Sequence, residues 1–135
     1  MNYYLIKSDP DNYSWEHLIK EGKTCWDGIR NYQARNYLKN WENGDLLLFY
    51  HSGQEKSVVG VARVCGFPYP ELGQESGWYC CDIEPVNMFN KPVQLDQIRK
   101  NENLRELLLL KQSRLSVMPV QMTEFDIIVA LGMEQ

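Results

Sequence analysis

Two extended apolar runs joined by a short polar turn constrain this chain more than any other feature. Asp45 to His51 and Ser57 to Phe67 are rich in the aliphatic and aromatic residues that suit a pleated surface, and Gly53-Gln54-Glu55-Lys56 supplies the turn between them. Gly60, inside the second run, marks a bulge or a place where another group approaches the backbone closely. A third strand is predicted for Tyr3 to Lys7, stopped by Asp9-Pro10-Asp11, and a fourth for Trp78 to Met88, with Cys80, Ile83 and Val86 as candidates for burial. Ser116 to Val120 is again extended, and Pro119 places it at a sheet edge or strand end.

Helices fall between and after these strands. Ser14 can cap a short helix carrying Trp15, Leu18 and Ile19, ended by Gly22. Asn31 can start a second, running through Ala34 and Leu38 to Trp41, with Asn43-Gly44 as a left-handed stop. Pro68 to Gly77 is turn-rich. Asp96 and Asn103 begin short helices, and Thr123 caps a last one with Phe125, Ile128 and Val129 inward. Trp15 and Trp41 are expected as core anchors. The fold class is therefore α+β: a curved or barrel-like, mostly antiparallel sheet flanked by short helices. At 135 residues it forms one domain, residues 1–135.

Composition narrows the functional classes. The longest apolar run, Leu107 to Leu110, is far below the ~20 residues a spanning helix needs, so no membrane partner is expected. Lys7, Asp9 and Asp11 interrupt any secretory leader, which implies a cytoplasmic or nuclear protein. The four cysteines lack a Cys-x-x-Cys pair, and adjacent Cys80 and Cys81 point to opposite faces of a strand. Buried free thiols are expected, and neither a metal nor a cofactor. Net charge is −4, which is unsuited to sequence-blind binding of duplex nucleic acid.

Against that acidic background, Trp26 to Leu38 concentrates three aromatic rings, two arginines and two asparagines around Gly28. Rings stack on a planar base, and Asn or Arg meets its edge or a phosphate. Trp26 serves equally as pocket wall or core ring. Arg30, Asn31 and Tyr32 are the other candidates from this stretch. Leu5-Ile6-Lys7-Ser8 and Phe49-Tyr50-His51-Ser52 are expected to face the same site, His51 as either a structural histidine or a partner of the bound ring. Lys7 and Arg114 are phosphate candidates. Catalytic patterns are weak: no glycine-flanked nucleophile, phosphate loop or zinc-deaminase motif occurs. A non-catalytic module for a nucleobase is the expected function, ahead of an enzyme using His51 as acid or base.

Five segments carry a family resemblance: Leu5 to Asp11, Tyr13 to Trp15, Trp26 to Asn36, Phe49 to Ser52, and Ser113 to Val120. In this order, and end to end, they resemble the EVE domain family. Asp9 stands where the family usually has glutamate. The resemblance implies a PUA-like fold, a small β-barrel with peripheral helices, related to the YTH readers of methylated adenine in RNA. It also implies recognition of a modified base, a 5-substituted cytosine in DNA flipped into an aromatic-lined pocket, with a reader of modified RNA as the alternative. Carried over by motif, Lys7 and Ser8 line the pocket from the first strand, Trp26 gives a wall and Asn31 a base-edge contact. Tyr50, His51 and Ser52 form another side, and Arg114, Leu115 and Ser116 close the rim. The partner is nucleic acid carrying a modified base, and any downstream action calls for a separate effector protein.

Overall fold

The structure, a computed structural model, describes residues 1–73 and 76–135. In chain order the strands are β1 (Tyr3–Ser8), β2 (Thr24–Trp26), β3 (Leu46–His51), β4 (Ser57–Pro70), β5 (Tyr79–Gln94) and β6 (Val117–Val120). The helices are α1 (Trp15–Glu21), α2 (Tyr32–Lys39), α3 (Leu95–Arg99), α4 (Leu108–Lys111) and α5 (Met122–Gly132), with a 3-10 turn at Glu102–Leu104. No helix among the described residues is long and apolar enough to cross a membrane.

The strands form one mixed sheet in the order β2-β5-β4-β3-β1-β6. Pairing is antiparallel except between β1 and β3, which run parallel with Leu5 beside Leu48 and Ser8 beside His51. The expected α+β class and mostly antiparallel sheet are found, but the strands do not close into a barrel. β2 and β6 stand at opposite ends of the order. Helix α2 packs against both β5 and β6, so it spans the seam that a barrel would have closed with hydrogen bonds.

Burial explains the strand sequences. Leu5, Ile6, Leu47, Leu48 and Phe49 are all fully buried, because one face meets the core and the other lies beneath helices and loops. Ser14 caps helix α1 as expected, and His17 completes a capping box: Ser14 Oγ accepts from the His17 N–H, and the Ser14 N–H donates to His17 Nδ1 at 2.9 Å. Gly22, in the left-handed region at φ 77°, ends it. Asn31 caps α2 by accepting the Ala34 N–H at 2.9 Å, but the helix ends at Lys39, short of the expected Trp41.

Other boundaries also moved. Thr24–Trp26, to which the sequence assigned no strand, forms one, and β4 and β5 run on to Pro70 and Gln94. Residues 68–70 of the expected Pro68–Gly77 loop are therefore strand, while Gln74 and Glu75 of it lie outside the described residues. Helix α5 starts at Met122, its entry held by Gln121 N–H donating to Glu124 Oε1 at 2.9 Å, not by Thr123. Ile19 and Val86, expected inward, are exposed. Cys80 and Cys81 are buried free thiols, whereas Cys25 and Cys65 are only half-buried.

Gly60 is both things the sequence suggested. The β3–β4 and β4–β5 registers shift beside it, and a Cβ there would lie 2.8 Å from the Asn87 carbonyl and from the Trp15 ring. The indole of Trp15 occupies the space a side chain would take. Gly60→Ala is therefore expected to destabilise the fold by about 1–3 kcal/mol, the usual cost of overpacking a tight core. Urea unfolding of the two proteins measures it; equal midpoints would show that Trp15 yields freely.

Candidate functional site

A cleft of about 540 Å³ opens where the end of β1, all of β2 and the residue before β6 come together. That volume falls in the ~300–1,000 Å³ range typical of small-ligand sites. It is lined by Lys7, Ser8, Asp9, Asn12 and Tyr13 on one side, by Thr24 to Ile29 on another, and by Ser116.

The first wall is a turn. Asp9 O accepts from the Asn12 and Tyr13 N–H groups at 2.9 Å, and Asp9 Oδ1 accepts from the Asp11 N–H at 3.0 Å. Ser8 Oγ closes it by donating to the Tyr13 carbonyl at 2.5 Å. This delivers the Tyr13 ring to the cleft, stacked on His17 at 5.4 Å and edge-on to Trp26 at 6.0 Å. The Tyr13 hydroxyl donates to Glu21 Oε1. Burial first, and then that bond, push its pKa up to about 12. It is a fixed phenol, not an acid–base group at neutral pH.

The second wall is Trp26 and the loop after it. Trp26 is 8% exposed, with its ring edge-on to Phe49 at 5.6 Å, yet it borders the cleft. The sequence left pocket wall and core ring open; the indole is packed in the core and also lies at the border of this cleft. Gly28, at φ 76°, turns the chain so that its N–H donates to Glu71 Oε1 at 2.7 Å. Arg30 pairs with the other carboxylate oxygen of Glu71. The Arg30 hydrogen bond holds the Glu71 carboxyl below the usual carboxylate range, burial opposes this, and the Gly28 N–H adds to it. One carboxylate thus pins the loop.

Lys7 closes the third side. Its ammonium donates to the Ser113 carbonyl at 2.7 Å, its N–H donates to Ser116 O at 3.0 Å, and burial lowers its pKa. The residues that line the cleft thus carry two aromatic rings, the Lys7 ammonium, the hydroxyls of Ser8, Thr24 and Ser116, the Asn12 amide and the carboxylates of Asp9 and Asp27. These groups can enclose a flat polar ring and hydrogen-bond its edges.

Of the residues expected in one pocket, Lys7, Ser8, Trp26 and Ser116 line this cleft, and the others lie elsewhere. Asn31, Arg114 and Leu115 border a separate shallow depression, and the Asn31 side chain is engaged as the α2 cap. Tyr50 is buried on β3 beside Lys7, whose ammonium lies 6.0 Å from its ring. Ser52 contributes its N–H to the Ser8 carbonyl at 2.9 Å, tying down the end of β1.

His51 is buried: its Nε2 accepts the Trp15 N–H at 3.0 Å, so Nδ1 carries the ring hydrogen and donates to Glu55 at 2.9 Å. It borders a different depression, beside Ser14 and Trp15, with both nitrogens engaged. Arg30 and Tyr32 sit on an exposed ridge with Trp78, described below. The lining residues outside the expected site are Asp9, Asn12, Tyr13, Thr24, Cys25, Asp27, Gly28 and Ile29. Asp9, Tyr13, Asp27, Gly28 and Ile29 fall in the segments that carry the family resemblance, whereas Asn12, Thr24 and Cys25 are marked only by closeness to Ser8 and Trp26.

Known proteins share this arrangement of strands and helices. A family model described as the EVE domain matches residues 2–131. Thymocyte nuclear protein 1 of Rattus norvegicus is 30% identical over 165 residues, which span 96% of this chain and 73% of that protein. The crystal structure of a protein from Agrobacterium tumefaciens has a TM-score of 0.93 at 38% identity, covering 98% of this chain and 93% of that one. Human thymocyte nuclear protein 1, solved in complex with DNA containing 5-methylcytosine, has a TM-score of 0.92 at 26% identity, covering 100% and 99%. The chain belongs to the EVE domain family.

Proposed function

We propose that this protein is a non-catalytic reader of a modified base in DNA, holding one extruded 5-substituted cytosine in the cleft that Tyr13 and Trp26 line. One observation carries the reading: an open cleft walled by two aromatic rings and edged by Lys7, Ser8, Asn12 and Asp27, in a fold whose human relative was crystallised with 5-methylcytosine DNA. Ring stacking contributes about 1–3 kcal/mol per base, comparable to the few kcal/mol that extrusion costs. The carboxylate of Asp27 can accept from the exocyclic amine of a cytosine, the pairing such a group makes with that base. A single-base pocket also needs little overall positive charge, in keeping with a chain of net charge −4.

Neither His51 nor Tyr13 supplies an acid–base group to this site. His51 is committed to Trp15 and Glu55 away from the cleft, and Tyr13 is held protonated.

Titration with oligodeoxynucleotides carrying cytosine, 5-methylcytosine or 5-hydroxymethylcytosine tests the proposal. One buried methyl contributes roughly 0.8 kcal/mol, so 5-methylcytosine should bind about fourfold tighter than cytosine. Equal weak binding to all three, or tighter binding to the matching modified RNA, overturns it. Trp26→Phe should keep the fold and weaken binding about three- to tenfold by shrinking the stacking surface. Unchanged affinity would reduce Trp26 to a core ring. By contrast, His51→Ala should leave affinity per folded molecule unchanged. It should lower stability by about 1–3 kcal/mol, because the buried Trp15 N–H loses its acceptor; thermal melts and the same titration separate the two effects.

A further inference from the structure

The side chains of α2 and Trp78 build an exposed ladder that the cleft does not use. Tyr32 is 65% exposed, and its ring stacks on Trp78 with centroids 5.1 Å apart and planes 23° apart. The Arg30 guanidinium lies 5.2 Å from the Trp78 ring, and that of Arg35 lies 4.8 Å from Tyr32 and 5.8 Å from Trp78. One turn along α2, the Lys39 ammonium is 4.8 Å from the Tyr79 ring. Arg35 and Lys39, four apart, share a helix face. We propose that this ridge grips the phosphodiester strand continuing from the base held in the cleft, with Arg35 and Lys39 as phosphate contacts. The inference rests on the modified-base DNA reading above.

Three observations favour a DNA strand as the occupant. First, the ridge is cationic on a chain of net charge −4; Arg30 is balanced by Glu71, but among the described residues no carboxylate pairs with Arg35 or Lys39. Second, Arg35 is held in position. Its Nε and Nη2 donate to Asn36 Oδ1 at 3.2 and 2.9 Å and its Nη1 to the Gly77 carbonyl at 3.0 Å. Since a guanidinium has five N–H donors, two remain for an anion. Third, the ridge is continuous with the cleft wall, because Glu71 accepts from both Arg30 and the Gly28 N–H of the lining. Alternating rings and guanidinium planes suit bases and phosphates together, whereas an acidic peptide would use only the charge.

The test compares wild type with Arg35→Ala, Lys39→Ala, the double variant and Arg35→Lys. Each is titrated by fluorescence anisotropy with a single-stranded oligodeoxynucleotide containing 5-methylcytosine, between 50 and 200 mM salt (about the range in which such contacts respond). Each is also titrated by NMR with free 5-methyl-2′-deoxycytidine. Two lost phosphate contacts should make the slope of log K against log salt shallower by about 1.4 in the double variant, and weaken oligonucleotide binding about tenfold at the low-salt end. Nucleoside affinity should stay unchanged, and Arg35→Lys should keep most of the slope. An unchanged slope in the double variant overturns the ridge, as does loss of binding to a poly-glutamate peptide without loss of DNA binding. If wild type binds nucleoside but no oligonucleotide, the ridge fails while the cleft reading stands. Binding of neither removes both.

Discussion

The curl of the sheet is the constraint from which the rest follows. β1 sits next to one end of the strand order and β2 at the other, yet their residues face one another across a single cleft. This requires a sheet curled far enough for Trp26 of β2 to touch Phe49 of β3. The usual twist of strands supplies the tendency, and the register shifts around Gly60 and between Cys65 and Tyr69 concentrate it. Full closure would have consumed the gap in backbone hydrogen bonds. Here α2 bridges one part of the seam and the cleft occupies another.

Trp26 ties this gap to the stability of the whole. One side of its indole is core, packed against Phe49 and Tyr13, and the remainder borders solvent. Anything that fills the cleft also completes the packing of a core residue, so occupancy and folding are linked by mass action. Glu71 has a comparable double role, fixing Gly28 on the cleft side and Arg30 on the ridge side with one carboxylate. Replacing it would loosen both at once.

Much of the fold was legible because the sequence pattern is local and physical. Apolar runs of aliphatic and aromatic residues marked β1, β3 and β4, and Ser14, Gly22 and Asn31 announced their caps. Strand β2 escaped because three residues carry no periodicity. The extension of β5 beyond Met88 escaped because Asn90-Lys91-Pro92 carries no strand pattern, while Pro85, inside the expected strand, is accommodated opposite Ala62, where the register shifts. The site was legible only in part. Lys7, Ser8, Trp26 and Ser116 stood out by residue type, but which side a strand end faces depends on the curl of the sheet. His51 and Tyr50 therefore looked equivalent to their neighbours until Trp15 and Glu55 were seen to claim the imidazole. Tyr13 and Asp27 become lining residues through turns whose geometry no single-residue preference encodes.

The two ends of the sheet carry a last implication. An uncurled border normally offers a row of free amides that recruits another chain. Here β2 is only three residues long, and β6 places Pro119, which lacks an amide hydrogen, opposite Tyr4. Neither border offers much of a template for strand addition. A fold whose seam stays unzipped is thus protected from admitting its own copies, and self-association through augmented sheets is disfavoured by construction.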